Sequence, residues 1–284
     1  MTATTTSPSV TVSRQSLVDA ARALLRAARF ADALALLDGA ASDHPEVALA
    51  RAEVALTSGY LGGSADVDAE LAAAEAAVAG CDDPGVTWDA EFLRLRQRYT
   101  REIFDAHTVL GSAEGRDPAR IGALRRTAEG LRDRAPDVRR RGWAEFYLGT
   151  IADNVYGDRA AGPAHLTAAL AVGKEAADDL LCFEALRHLG DHAHDEGDAV
   201  LALDQWQRST EYAARAGSIT GTLAQQILLA QLARERGDEH GARLLAAEVA
   251  RWAGAVGADR TRAHAEAFAA GADPTSPDAT NAEG

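Results

Sequence analysis

Three Gly-Asp pairs, Gly157-Asp158, Gly197-Asp198 and Gly237-Asp238, recur at intervals of 40 residues. Five residues after each Gly stands a small residue, Gly162, Ala202 and Ala242, and Gly122 continues that position one interval earlier. A Gly supplies the left-handed backbone that ends one helix, and the Asp caps the next. The small residue beyond the corner lets two paired helices approach closely. A fixed period of this length, with two helices per unit, is the signature of a stacked helical array. Composition agrees. Of 284 residues 47% are hydrophobic, but 65 are Ala, the best helix former and a poor core filler. Helices packed through small side chains follow, and a β-sandwich does not.

Apolar periodicity and capping residues predict helices over 13–28, 31–42, 46–60, 66–79, 86–109, 118–133, 137–156, 160–177, 180–196, 199–216, 220–236, 239–256 and 260–270. Residues 1–12 and 271–284 have no apolar face and read as disordered tails. The Gly-rich interruption around Gly111–Pro118 divides the remainder into an N-terminal half, 13–110, and a C-terminal half with the 40-residue repeats, 117–270. The formal charge of −14 disfavours nonspecific binding to nucleic acid or anionic lipid. No window reaches the apolar length of a membrane span. Cys81 and Cys182 are far apart in sequence, which suits two reduced thiols in a cytoplasmic protein better than a disulfide framework.

The repeat units carry a recognisable pattern. The unit from about 183 has Leu189-Gly190, Ala193, Gly197-Asp198, Ala202, Trp206 and Ser209. The next has Leu229-Ala230, Ala233, Gly237-Asp238, Ala242, Ala246 and Val249. Near the start, Ala20-Ala21, Leu24, Phe30, Ala33, Leu37, Ala40 and Pro45 keep the same spacing. On these residues the chain resembles the tetratricopeptide repeat family. The resemblance implies an all-α, right-handed superhelical stack of antiparallel helix pairs. Two departures stand out. The period of 40 exceeds the family's, so the helices should be longer. In the unit from about 142, Leu148-Gly149 and Gly157-Asp158 stand one residue out of register with each other.

In this family the first helix of each pair lines a concave groove that binds peptides or other partners. Carried over by position, the resemblance assigns Glu184, Arg187, His188, Asp191, His194 and Asp195 to the groove. The preceding unit, despite its slip, contributes Trp143, Phe146, Tyr147, Thr150, Asp153 and Asn154; the last contributes Ala224, Ile227, Gln231 and Arg234. The family's acidic-tail clamp needs Lys, and Lys174 is the only one here. An acidic, aromatic groove instead favours a basic or amphipathic protein or peptide segment, so the expected function is a non-catalytic interaction scaffold without a cofactor.

Two rival readings stay open: a small-molecule or metal-binding protein or enzyme using a pocket within 143–195, and a sensor for a signalling peptide. His188 and His192, at i and i+4, share a helix face and are metal candidates, but Leu189 stands where the zinc-protease signature needs Glu. The plainer reading is one His in the groove and one packed between helices. Two Arg-rich stretches, 94–101 and 125–141, read either as solvated faces or as grips for an acidic partner or phosphate.

Overall fold

Capping carboxylates and corner glycines cut the chain into helices close to where the spacing predicts them. The computed structural model describes residues 12–40, 44–63 and 65–272, so nearly all of both expected tails lies outside the described residues. Among those residues the α-helices are α1 (Arg14–Arg26), α2 (Phe30–Asp38), α3 (Pro45–Tyr60), α4 (Val67–Val78), α5 (Pro84–Ile103), α6 (Pro118–Asp133) and α7 (Val138–Ile151). They continue as α8 (Gly162–Glu175), α9 (Asp179–Asp195), α10 (Ala199–Ala216), α11 (Ile219–Glu235), α12 (Glu239–Ala255) and α13 (Asp259–Ala269). No strand occurs among the described residues, and no helix there is long and apolar enough to cross a membrane.

Asp66, Asp83, Asp117, Asp137, Asp178, Asp198 and Asp238 each accept a backbone N–H from the first turn of the helix they precede. Each odd-numbered helix packs antiparallel on the next even one, and odd neighbours such as α1 and α3, α3 and α5, and α7 and α9 touch along an inner layer. The helices α9 to α12 are 17 or 18 residues long, the extra length that a 40-residue period requires.

Close approach within a pair depends on missing side chains. A Cβ on Gly190 of α9 would lie 2.3 Å from Trp206 Cδ1 of α10, and one on Gly149 would lie 2.9 Å from Leu166 Cγ of α8. Trp206 is fully buried in the space so created. Its indole N–H is shared between Arg187 O and Asp191 Oδ1, each at 3.1 Å.

The register slip in the α7 unit has a structural cause. Directly after α7, residues Ala152–Tyr156 form a π-helix that absorbs one extra residue between Gly149 and Gly157. The wider turn places Asp153 inward, where its Oδ2 is 2.8 Å from His192 Nε2 of α9. The same carboxylate lies against Gly162, where a Cβ would come within 2.0 Å of Oδ1, so this unit has Gly where the next two have Ala.

Helix α5 stops at Ile103 rather than at 109, and the reason is Arg116. Its fully buried guanidinium donates to Ser112 O at 2.8 Å, to Val109 O at 3.0 Å and to Glu102 O, folding 104–117 into an ordered loop. Gly111 N then donates to Asn154 O of the π-helix at 2.8 Å. At the far end of the array, α13 returns to the first third of the chain. The Arg260 guanidinium lies 4.1 Å over the Phe104 ring, Phe104 packs on Tyr60 at 5.4 Å, and the Arg260 backbone lies against Gly62. The curve therefore closes around a lumen.

Two substitutions test these contacts. Gly190→Ala should destabilise the chain by roughly 1–3 kcal/mol through overpacking against Trp206, although helix propensity alone favours Ala. Arg116→Met should cost on the order of 3 kcal/mol, because Glu102 stays buried with only its outer partner Arg120. Urea denaturation measures both.

Candidate functional site

The inner layer presents residues from four helices to the lumen. On α5, Phe92, Arg96 and Tyr99 recur at helical spacing on one face. On α7, Trp143 and Tyr147 are one turn apart, and on α9 Glu184, Arg187, His188 and Asp191 form one strip. Glu53 and Tyr60 of α3 complete the wall, close enough for their fields to act on Arg96 and Arg187 respectively.

A continuous aromatic seam ties these helices together. Trp88 stacks on Phe92 at 4.7 Å between ring centres, and Phe92 meets Tyr147 edge-on at 5.2 Å. Tyr147 in turn meets Tyr99 at 5.4 Å and Phe146 at 5.4 Å, and Phe146 contacts the His188 ring at 5.6 Å. Edge-on geometry sets the positive rim of one ring on the negative face of the next. Asn154 Nδ2 donates to the Tyr99 hydroxyl at 2.6 Å, so the π-helix buttresses the seam.

The charged groups along this seam are poorly matched. Among the described residues no carboxylate lies within 4.0 Å of Arg96 or Arg187, and Glu184 makes no hydrogen bond or ion pair. Arg96 donates to the Thr57 hydroxyl at 3.4 Å and interacts with the Tyr147 hydroxyl, and Arg187 meets His188 Nε2 at 3.4 Å. All are half-buried, touching solvent at the floor of a trough with protein on most sides. Burial pushes the Glu184 and Asp191 carboxyls up, against the opposing pull of Arg187. Burial also drives His188 well down, helped by the Arg187 charge, so it is neutral at pH 7.

Of the residues singled out by sequence, Trp143, Tyr147, Asn154, Glu184, Arg187, His188 and Asp191 come together here. Three lie elsewhere. Asp153 is buried between α9 and the start of α8. His194 packs over Trp206 and bonds Glu235 at 2.8 Å. Asp195 is an exposed helix-end residue paired with Arg159. His188 and His192 do not share a ligand position, since His192 faces Asp153 and His188 faces the seam. No group of three His, Cys, Asp or Glu side chains suited to a metal ion occurs among the described residues. In the last unit Ile227 is core, and Arg234 is tied to Glu239 and to the Phe268 carbonyl. Position-matching overlooked Phe92, Arg96, Tyr99, Glu53 and Tyr60, because units between 46 and 135 keep only the helical period. The spacing Trp88, Phe92, Arg96, Tyr99 was the available signal.

A carboxyl whose pKa is raised by folding weakens stability as pH climbs through and above the ordinary carboxylate range, since the unfolded chain releases its proton first. Glu184→Gln should therefore raise Tm at pH 7.5 by about 2–4 °C. The gain should vanish near pH 4, where Glu184 is protonated in the folded chain. Differential scanning calorimetry at both pH values checks the sign.

No protein-family model matches the sequence, and no curated protein matches it. Solved structures do. A Rap protein complexed with Competence and Sporulation Factor is similar to it with a TM-score of 0.51 and 13% identity, over 90% of this chain and 71% of that one. A Signal Transduction ATPase with Numerous Domains from Pyrococcus horikoshii, which has a tetratricopeptide repeat sensor, gives 0.48 and 13%, over 90% of this chain and 39% of that one. With its paired helices and Gly-Asp corners, the chain has a tetratricopeptide-type helical-repeat fold.

Proposed function

We propose that this chain is a non-catalytic interaction module that takes a basic or amphipathic peptide segment of a partner into its lumen. The observation that carries the reading is the set of half-buried charges, Arg96, Glu184 and Arg187, that attract one another along the aromatic seam without closing an ion pair. Half-buried charges held apart from their counter-charges cost stability in the free protein, and a ligand that supplies opposite charges at contact recovers it. Glu184 and Asp191 suit the Lys or Arg of a bound segment. Arg96 and Arg187 suit a carboxylate or peptide carbonyls beside it. Trp143, Tyr147 and Phe92 offer rigid anchor area at low entropic cost. The similar Rap structure, solved in complex with a factor, supports a partner-binding use of this architecture.

One observation favours a sensor version of the same reading. The contact of Arg260 with Phe104, which in turn packs on Tyr60, closes the lumen, so an arriving segment must thread in or part this contact. Small-angle scattering with and without the segment distinguishes the two.

The test is affinity capture from native lysate with wild type beside Tyr147→Ala and Glu184→Gln/Asp191→Asn, followed by anisotropy with labelled peptides from the captured partner. Either variant should weaken binding by roughly tenfold or more, the scale of losing one desolvated anchor or charged contact. A partner held equally by all three proteins overturns the groove assignment.

A further inference from the structure

The two Arg-rich stretches, more than twenty residues apart in sequence, meet in space. Arg94 and Arg98 of α5, Arg126 of α6 and Arg134 at its C-terminal cap line one side of a cleft of about 630 Å³, closed on the other by the end of α4 and the corner at Gly80-Cys81. The cleft lies on the flank of α5 turned away from Phe92, Arg96 and Tyr99, outside the lumen. It exists because α5 packs more loosely on α4 and α6 than most helices of the array pack on theirs.

The four arginines divide into two kinds. Arg94 is clamped by Glu75 through two bonds of 2.7 Å, and Arg134 is clamped by Glu91 at 2.6 and 3.3 Å. Glu75 is held ionised, its pKa lowered first by the Arg94 bond. These two pairs are rigid and neutral. Arg98 and Arg126 close no ion pair among the described residues, although the Arg98 charge acts on Glu75, and both stand at the exposed mouth of the cleft. The lining therefore has two surplus positive charges on a fixed frame, above an apolar floor that includes Val78 and Ala90.

From this arrangement we infer that the outer cleft between α4, α5 and α6 binds a phosphorylated small molecule, with Arg98 and Arg126 gripping the phosphoryl group and the organic part lying on Val78 and Ala90. Paired guanidinium donors match phosphate oxygens in geometry and charge. The volume falls within the usual span for small-molecule sites. The chain's overall negative charge does not oppose this locally, because at physiological salt exposed charges beyond about 8 Å are largely screened.

Isothermal titration calorimetry at 50 mM salt tests it with inorganic pyrophosphate and with phenyl phosphate as probes. Wild type should bind both, phenyl phosphate with the added contribution of the floor. Arg98→Gln and Arg126→Gln should each weaken binding roughly tenfold, the scale of one charge-assisted contact, and the double variant should abolish it. Both side chains are exposed, so Tm without ligand should not move, and the added ligand should raise Tm in wild type alone. The lumen variant Tyr147→Ala should bind like wild type, which keeps failure here distinct from failure of the groove reading. Absence of binding by wild type at 10 mM probe overturns the inference, as does equal binding by the double variant. Binding of polyglutamate but not phosphate, lost in the double variant, also overturns it and assigns the cleft to an acidic protein surface.

Discussion

Every feature of the lumen depends on how closely the two helices of each unit approach. Gly190 sits against the Trp206 indole and Gly149 against Leu166, with no room for a single added carbon at either point. Ala202 and Ala242 are completely buried at the equivalent corner position of their units. A large aromatic slotted into a glycine notch fixes both separation and rotation of the pair, because interiors pack as tightly as crystals and tolerate little sliding. Rotation decides which strip of α9 faces inward. With Trp206 seated, its N–H holds Asp191 and the Arg187 carbonyl, so the lock that joins the helices also aims two groove residues.

That lock is local, and for that reason it was legible. Glycine corners, Asp caps and small residues at a fixed offset are properties of a few neighbouring positions, and they placed α6 and α10 to the residue and most others within two or three. What escaped depends on distant partners. Nothing within 86–109 says that the helix must stop at Ile103; the stop comes from Arg116, whose guanidinium gathers the Glu102 carbonyl of the last turn and two carbonyls of the loop. The π-helix was visible only as a slip of one residue between Gly149 and Gly157. Its meaning needed Asp153 and His192 to be seen together, 39 residues apart.

The groove shows the same division. Residues in units that carry the Gly-Asp corner, from Trp143 to Asp191, are assigned by position, despite the one-residue slip in the α7 unit. The wall supplied by α3 and α5 was not, since those units lack the Gly-Asp corner and only helical periodicity survives. Asp153, His194 and Asp195 share the sequence spacing of groove residues but not their surroundings. The extra π-helical residue turns Asp153 into the core, and the last turn of α9 runs past the lumen toward α11 and solvent. Spacing gives a direction on an ideal helix, and these departures fall where the helix is not ideal or ends.

The distribution of ion pairs separates the two charged surfaces by kind. Across the outside of the array most arginines have a carboxylate in hand: Arg51 with Glu70, Arg94 with Glu75, Arg134 with Glu91, Arg140 with Asp89. Exposed pairs of this sort contribute little each, but they neutralise the surface at close range. Two groups of exceptions differ in setting. Inside, Arg96, Glu184 and Arg187 stand half-buried without a close ion pair, in a setting where desolvation pushes the Glu184 and Asp191 carboxyls up. Outside, Arg98 and Arg126 lie in water, where an unmatched charge costs the fold almost nothing. Both ligands stabilise the protein by mass action, but the lumen ligand gains affinity by relieving an internal desolvation cost, whereas the cleft ligand has no such cost to relieve.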